Sequence, residues 1–155
     1  MAENMEIRID DLSGGEVLQL LQEHLQDMYA TSPPENVHAL DVGALKAPEI
    51  TFYSGWSGEK LLGCVAIKSL SDQHVELKSM RTSSNARNQD VASGLLEHVI
   101  QQAGVKGYKT ISLETGSQAF FQPARSLYEK YGFEYCGPFG VYKEDPHSRF
   151  MTRPL

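Results

Sequence analysis

Apolar and polar positions along this chain follow two periods that alternate from segment to segment. Val75, Leu77 and Ser79 alternate with Glu76, Lys78 and Met80, the period-2 signature of a strand with two unlike faces. Val91, Leu95, Leu96, Val99, Ile100 and Ala103 then recur at helical spacing, so a strand, a polar turn over residues 82–90 and an amphipathic helix follow one another. A helix that begins in such a turn presents unpaired backbone N–H groups and the positive end of its dipole, which suits a phosphate.

The same two periods organise the rest of the chain. Residues 5–9 alternate and predict a short first strand. Asp10, Asp11 and Ser13 offer capping side chains before Val17, Leu20, Leu21, Leu25 and Met28, which predict a helix of about four turns. Ser32-Pro33-Pro34 stops it, because two prolines cannot continue the ladder. Residues 31–48 read as a long loop with a short helix around 42–46, and long loops in compact domains are candidates to face substrate. Residues 50–56 and 60–70 are β-rich on either side of Ser57-Gly58-Glu59 and predict a hairpin, which the strand at 75–82 extends into a meander. A further strand covers 110–115. Pro123 stands where a first helical turn accepts proline, Ala124, Leu127, Tyr128 and Tyr131 give that helix an apolar face, and Gly132 ends it. Residues 133–135 and 149–154 predict closing strands. The expected fold class is therefore α/β, a single domain over residues 1–155 with a mixed, mostly antiparallel twisted sheet of about six to seven strands and helices on both faces.

Composition narrows the function. Net charge is −6, from 20 acidic against 14 basic residues, and no run of Lys or Arg exists, so a nucleic-acid partner is not expected. No segment approaches the roughly 20 apolar residues of a membrane span. The acidic start MAENMEIRIDDL does not read as a secretory signal, so a cytoplasmic protein without a membrane partner is expected. Cys64 and Cys136 have no CxxC spacing and are expected to be small buried apolar residues; no metal site is expected.

The turn and helix ARNQDVASGLLEHVI and the later SLYEKYGF, with the order of elements, resemble the GCN5-related N-acetyltransferase (GNAT) family over nearly the whole chain. In that family the turn reads Arg/Gln-x-x-Gly-x-Gly/Ala, and its backbone N–H groups hold the pyrophosphate of acetyl-coenzyme A. Arg87 stands first here, Asn88 follows where another glycine is frequent, Asp90 stands at the glycine and Ala92 at the small position. The second signature, Leu-Tyr-x-x-x-Gly-Phe, is matched by Leu127, Tyr128, Gly132 and Phe133.

The resemblance implies transfer of an acetyl group from acetyl-coenzyme A to a primary amine of a small molecule or peptide, by direct attack on the thioester and without a metal; a homodimer would be unsurprising. It places the cofactor against Met80, Arg81 and Thr82 of the strand and against Arg87, Asn88, Gln89, Asp90, Val91, Ala92 and Ser93 of the turn. It also makes Tyr128 the expected general acid. Glu76 is the expected base, with Glu114 a second candidate and a water chain a third possibility. Ser32 and His38 in the long loop are candidate substrate contacts, and Trp56 is another.

Two departures from the family bear on the cofactor. A carboxylate at Asp90, roughly 5 Å from a pyrophosphate charge, would cost about 3 kcal/mol at an effective dielectric of 20. The alternative role for Asp90 is to cap the helix. Phe121 stands where the family commonly has an asparagine that touches the pantetheine arm, and it cannot supply that hydrogen bond. The competing expectation is therefore a domain that keeps the fold for binding or regulation with weakened or lost acetyl-coenzyme A binding.

Overall fold

The computed structural model describes residues 5–31, 42–83 and 90–155. Alternating segments pair into one seven-stranded sheet in the order β1-β2-β3-β4-β5-β7-β6. The strands are β1 (Glu6–Ile9), β2 (Ile50–Ser57), β3 (Lys60–Ser69), β4 (His74–Thr82), β5 (Thr110–Gly116), β6 (Glu134–Cys136) and β7 (Ser148–Pro154). Every pairing is antiparallel except β4 with β5. That parallel step is the crossover through helix α3 (Val91–Val105). The other helices are α1 (Gly15–Thr31), the single turn α2 (Val42–Leu45) and α4 (Gln122–Lys130), the last preceded by a 3-10 turn at Ala119–Phe121.

Each face of the sheet buries its own apolar cluster. On one face Leu95, Leu96 and Val99 of α3 pack with Val75, Leu77, Ile111, Leu113 and Met151 of the strands and with Tyr128 and Phe133 beyond. Each of the three α3 side chains is fully buried, worth about 2 kcal/mol apiece. α3 comes close because Gly63 in β3 leaves room: a Cβ there would lie 3.1 Å from Val91 and 2.7 Å from the Arg81 carbonyl. On the other face Val17, Leu20 and Leu21 of α1 and Leu45 of α2 cover Phe52, Cys64 and Ala66 of β2 and β3. α3 and α4 both end in paired backbone bonds around a left-handed glycine. Tyr108 N–H reaches the Ala103 carbonyl past Gly107, and Phe133 N–H reaches the Tyr128 carbonyl past Gly132.

Three local expectations need correction. Asp10 and Asp11 do not cap α1. Asp10 accepts the Leu12 N–H (2.8 Å) and the Ser54 hydroxyl, and Asp11 accepts the Ser13 N–H (3.0 Å), so they turn the chain ahead of the helix around a left-handed Leu12. Cys64 is buried as expected, but Cys136 is exposed on the short edge strand β6. The alternation in β4 also does not run through. Ser79 takes φ 54°, and the β3–β4 register shifts between Cys64 and Ala66. One inserted residue inverts the parity beyond it. Met80, expected beside Glu76 and Lys78, packs instead against the α3 cluster, and Arg81 turns to α1 and pairs with Asp27 at 2.6 Å.

Candidate active site

The bulge at Ser79 opens the sheet. β4 and β5 pair only from His74↔Thr110 to Leu77↔Leu113, whereas β5 stays paired with β7 as far as Gly116↔Ser148. β4 meanwhile follows β3, where the Ser83 N–H bonds the Leu62 carbonyl at 2.8 Å. Strand alternation then turns the amides of Thr82 and Met80 away from β3, towards the gap.

Two cavities occupy this gap. The outer one, of about 540 Å³, is bounded by Met80, Arg81 and Thr82, by Asp90, Val91, Ala92 and Ser93 at the start of α3, and by Phe120, Phe121 and Leu127 before and along α4. The inner one, of about 110 Å³, is bounded by Glu76, Lys78, Glu114 and Tyr142. His24, Met28, Met80, Phe121, Ala124 and Tyr128 line both. His24 and Met28 belong to α1 and Ala124 and Tyr128 to α4, which cover opposite faces, so the space passes through the sheet. An open groove of about 560 Å³ beside β6 and β7 shares no lining residue with either cavity.

At the outer end the chemistry is that of the backbone. Asp90 adopts φ 57°, ψ 25°, a left-handed conformation that glycine, asparagine and aspartate tolerate best, and its carboxylate makes no capping bond to α3. The capping role weighed for it is therefore not what the side chain does. The first bond of the ladder runs from the Gly94 N–H to the Asp90 carbonyl (3.1 Å), so the amides of Val91, Ala92 and Ser93 have no helical partner. These amides and the helix dipole fit a phosphate group, and the Asp90 charge opposes it.

At the inner end the chemistry is that of side chains. Glu76 is 4% exposed. Its Oε2 accepts the Tyr142 hydroxyl at 2.5 Å and the Lys78 ammonium at 3.2 Å, and Lys78 also donates to the Tyr142 oxygen at 3.0 Å. Tyr142 is set in place by the 137–147 segment, whose Phe139 and Tyr142 rings pack against Phe150 of β7. Glu114 is held differently. Burial pushes its carboxyl up to about 7, against the lowering effect of the Ser148 hydroxyl and the Lys78 ammonium, while Glu76 adds to the rise. Burial and then the Glu114 charge raise the Tyr128 phenol above its ordinary value. The Tyr128 hydroxyl forms no hydrogen bond among the described residues. Burial, then the Arg81 charge, lowers His24 to about 4 despite Asp27, so His24 is neutral at pH 7.

α4 is moored to this site by Arg125, buried to 8% exposure, which donates to the carbonyls of Gly116 (2.6 Å) and Gln118 (3.0 Å) and to the Gln122 side chain (2.8 Å). Phe121 lies so close to Gly116 that a Cβ there would collide with its ring.

Of the residues expected from the sequence, Arg81, Thr82, Asp90, Val91, Ala92 and Ser93 line the outer cavity, Glu76 and Glu114 the inner one, and Met80 and Tyr128 both. Trp56 lies in β2 with its indole N–H on the Ser54 hydroxyl and lines neither. Ser32, His38, Arg87, Asn88 and Gln89 lie outside the described residues. Lys78, Tyr142, Arg125 and His24 were not anticipated. A signal existed for His24 alone: it follows Leu20 and Leu21 by four and three positions, on the buried stripe of α1.

Comparisons with known proteins agree with this geometry. Residues 16–133 match the family model described as acetyltransferase (GNAT) family. The chain is 53% identical over 151 residues to the uncharacterised N-acetyltransferase YsnE of Bacillus subtilis, covering 97% of this chain and 100% of that one. Its fold superposes with a TM-score of 0.73 on a Bacillus subtilis acetyltransferase in complex with CoA, at 18% identity over 97% of this chain and 99% of that one. It superposes with a TM-score of 0.69 on a GNAT family acetyltransferase from Elizabethkingia anophelis with acetyl-CoA bound, at 20% identity over 99% of each chain. No helix among the described residues is long and apolar enough to cross a membrane. With a sheet opened at a bulge, amides without a helical partner at the start of α3 and a family model that spans most of its length, the chain belongs to the acetyltransferase (GNAT) family, enzymes whose acetyl donor is acetyl-coenzyme A.

Proposed function

We propose that the protein transfers the acetyl group of acetyl-coenzyme A to a primary amine of a small molecule or of a peptide. The observation that carries this reading is the pair of adjoining cavities that share six lining residues, with amides lacking a helical partner at the outer end and two carboxylates, Glu76 and Glu114, at the inner end. Amides of Val91, Ala92 and Ser93 would hold the pyrophosphate, and the Met80 and Thr82 amides would face the pantetheine arm. Acetyl-coenzyme A supplies the thioester carbonyl carbon that the amine attacks and leaves as a free thiol.

The chain's own groups move the protons. Glu114, with a pKa of about 7, accepts the proton that the amine nitrogen loses, since a base works best when its pKa lies near the working pH. Glu76 orients rather than accepts, because Lys78 and Tyr142 already occupy its Oε2. The Met80 N–H donates to the carbonyl oxygen as charge develops on it. Tyr128 gives its phenolic proton to the departing sulfur and regains one from solvent or from Glu114, so that overall one proton passes from nitrogen to sulfur.

The test is a calorimetric titration with acetyl-coenzyme A, followed by thiol release measured over a panel of primary amines. Binding in the micromolar range with amine-dependent thiol release is the expected result. Absence of binding at millimolar cofactor would overturn it.

A further inference from the structure

The acetyl carbon has to lie where the outer and inner cavities meet, since the donor enters from one and the amine from the other. Of the six residues common to both, Met28, Met80, Phe121 and Ala124 are apolar. His24 and Tyr128 are the polar pair, from α1 on one face of the sheet and α4 on the other. Tyr128 has a role in the reading above, on which this inference rests. His24 has none, and its imidazole makes no hydrogen bond among the described residues. The groups around it are Arg81 of β4 and Asp27 of α1, which pair with each other at 2.6 Å and leave the imidazole unengaged. Lys78, Glu76, Glu114 and Tyr142 lie further along the inner cavity.

We infer that His24 is a positioning residue for the acceptor: an imidazole nitrogen accepts a hydrogen bond from the incoming amine and aims its lone pair at the thioester carbonyl from the α1 side. A neutral ring suits this. A protonated imidazole would offer only donors and would repel an approaching ammonium. With its pKa near 4, His24 keeps an acceptor nitrogen throughout the range in which Glu114 titrates, so it orients the nucleophile while Glu114 removes the proton. The covalent step is unchanged: the C–N bond forms, the C–S bond breaks, and the proton leaves nitrogen for Glu114. His24 contributes position, which in an attack of this kind is worth orders of magnitude when it is lost.

The experiment follows thiol release from acetyl-coenzyme A for the wild type, His24→Asn and His24→Leu, with ethylamine as a minimal probe amine and with the best amine of the panel. The expected result is a drop of about tenfold or more in kcat/KM for the amine in His24→Leu, with the KM for acetyl-coenzyme A unchanged within about twofold. His24→Asn, whose side-chain oxygen can accept the same bond, should recover most of that loss. All three proteins should show the same acid limb near pH 7, because His24 does not titrate there. Equal amine kcat/KM in wild type and His24→Leu would overturn the inference and leave the proposed function standing. So would a loss matched by an equal rise in the cofactor KM, which would mark a residue that shapes the outer cavity. Wild-type protein that binds acetyl-coenzyme A but releases no thiol with any amine would overturn the proposed function together with this inference.

Discussion

The two ends of the cleft solve recognition by opposite means. At the outer end the partners are backbone amides at the start of α3 and along β4, and what fixes them is chain geometry: the left-handed turn at Asp90 and the bulge at Ser79. Side-chain identity there is loosely constrained, so an aspartate can stand at a glycine position and still take the left-handed conformation. At the inner end the partners are side chains, Glu76, Lys78, Glu114 and Tyr142, brought from β4, β5 and the 137–147 segment into about 110 Å³. A change at the inner end should alter turnover, and a change at the outer end should alter cofactor affinity.

The hardest test of that division is Glu114→Gln. Removing a positioned general base costs roughly 10²–10⁴-fold, so kcat should fall by about that factor with the cofactor KM little changed. Wild-type kcat/KM should rise with pH through about 7 as Glu114 ionises, and the variant should lose that limb. The same group has a stability signature. Its folded pKa lies above the ordinary 4.5, so the folded state holds the proton more tightly and stability falls as pH rises from about 4.5 to 7. Denaturant melts across that range should show the fall in wild type and not in Glu114→Gln. A variant with wild-type turnover would move the base to Glu76 or to water.

Tyr128→Phe comes next, with an expected loss of about 10²-fold in kcat, since a departing thiolate needs an acid less than an amine needs a base. The ring packs against Phe133 in the α3-side cluster, so the phenylalanine should fold normally. Full turnover in a folded variant would reduce Tyr128 to a core residue.

The outer end is tested by Asp90→Gly. At roughly 5 Å the Asp90 charge opposes a pyrophosphate by about 3 kcal/mol before screening, and an exposed site near solvent retains only part of that. A tightening of about tenfold in acetyl-coenzyme A binding is expected, shrinking as salt is raised, with kcat unchanged. Glycine also removes the cost of a left-handed aspartate, so thermal stability should rise slightly. Unchanged affinity would place the phosphates away from residue 90.

Much of this was legible from hydrophobic period alone, and the parts that were not have physical causes. The long helices and the alternating strands follow from periods of 3.6 and 2, whereas β3 reads as a continuous apolar run and buries both of its faces. The bulge is invisible to both periods, because Ser79 is an unremarkable residue whose positive φ is imposed by the pairing of β4 with β3. The side that parity assigned to Met80, beyond the bulge, was inverted. Tyr142 was equally hidden, since a tyrosine in a Gly- and Pro-rich stretch gives no sign that it will meet a strand residue 66 positions earlier. Tyr128 and the start of α3 were legible because they carry local signatures, a helix face and a helix start.

The smallest expected effect belongs to Tyr142→Phe. This change keeps the ring contacts with Phe139 and Phe150 and removes one hydroxyl, which now bridges the Glu76 carboxylate and the Lys78 ammonium. Lys78 still reaches Glu76 directly, so the pair survives with one hydrogen bond fewer on each side. A charge-assisted hydrogen bond is worth about 1.5–3 kcal/mol, but the remaining ion pair and an entering water would recover part of that. The amine KM should rise several-fold while acetyl-coenzyme A binding stays constant. If the cofactor affinity fell instead, the 137–147 segment would be bracing the whole cleft and the division between a backbone end and a side-chain end would fail. If only the amine KM moved, Tyr142 would belong to the acceptor side, and the shape of that segment would be the place to alter which amines the enzyme accepts.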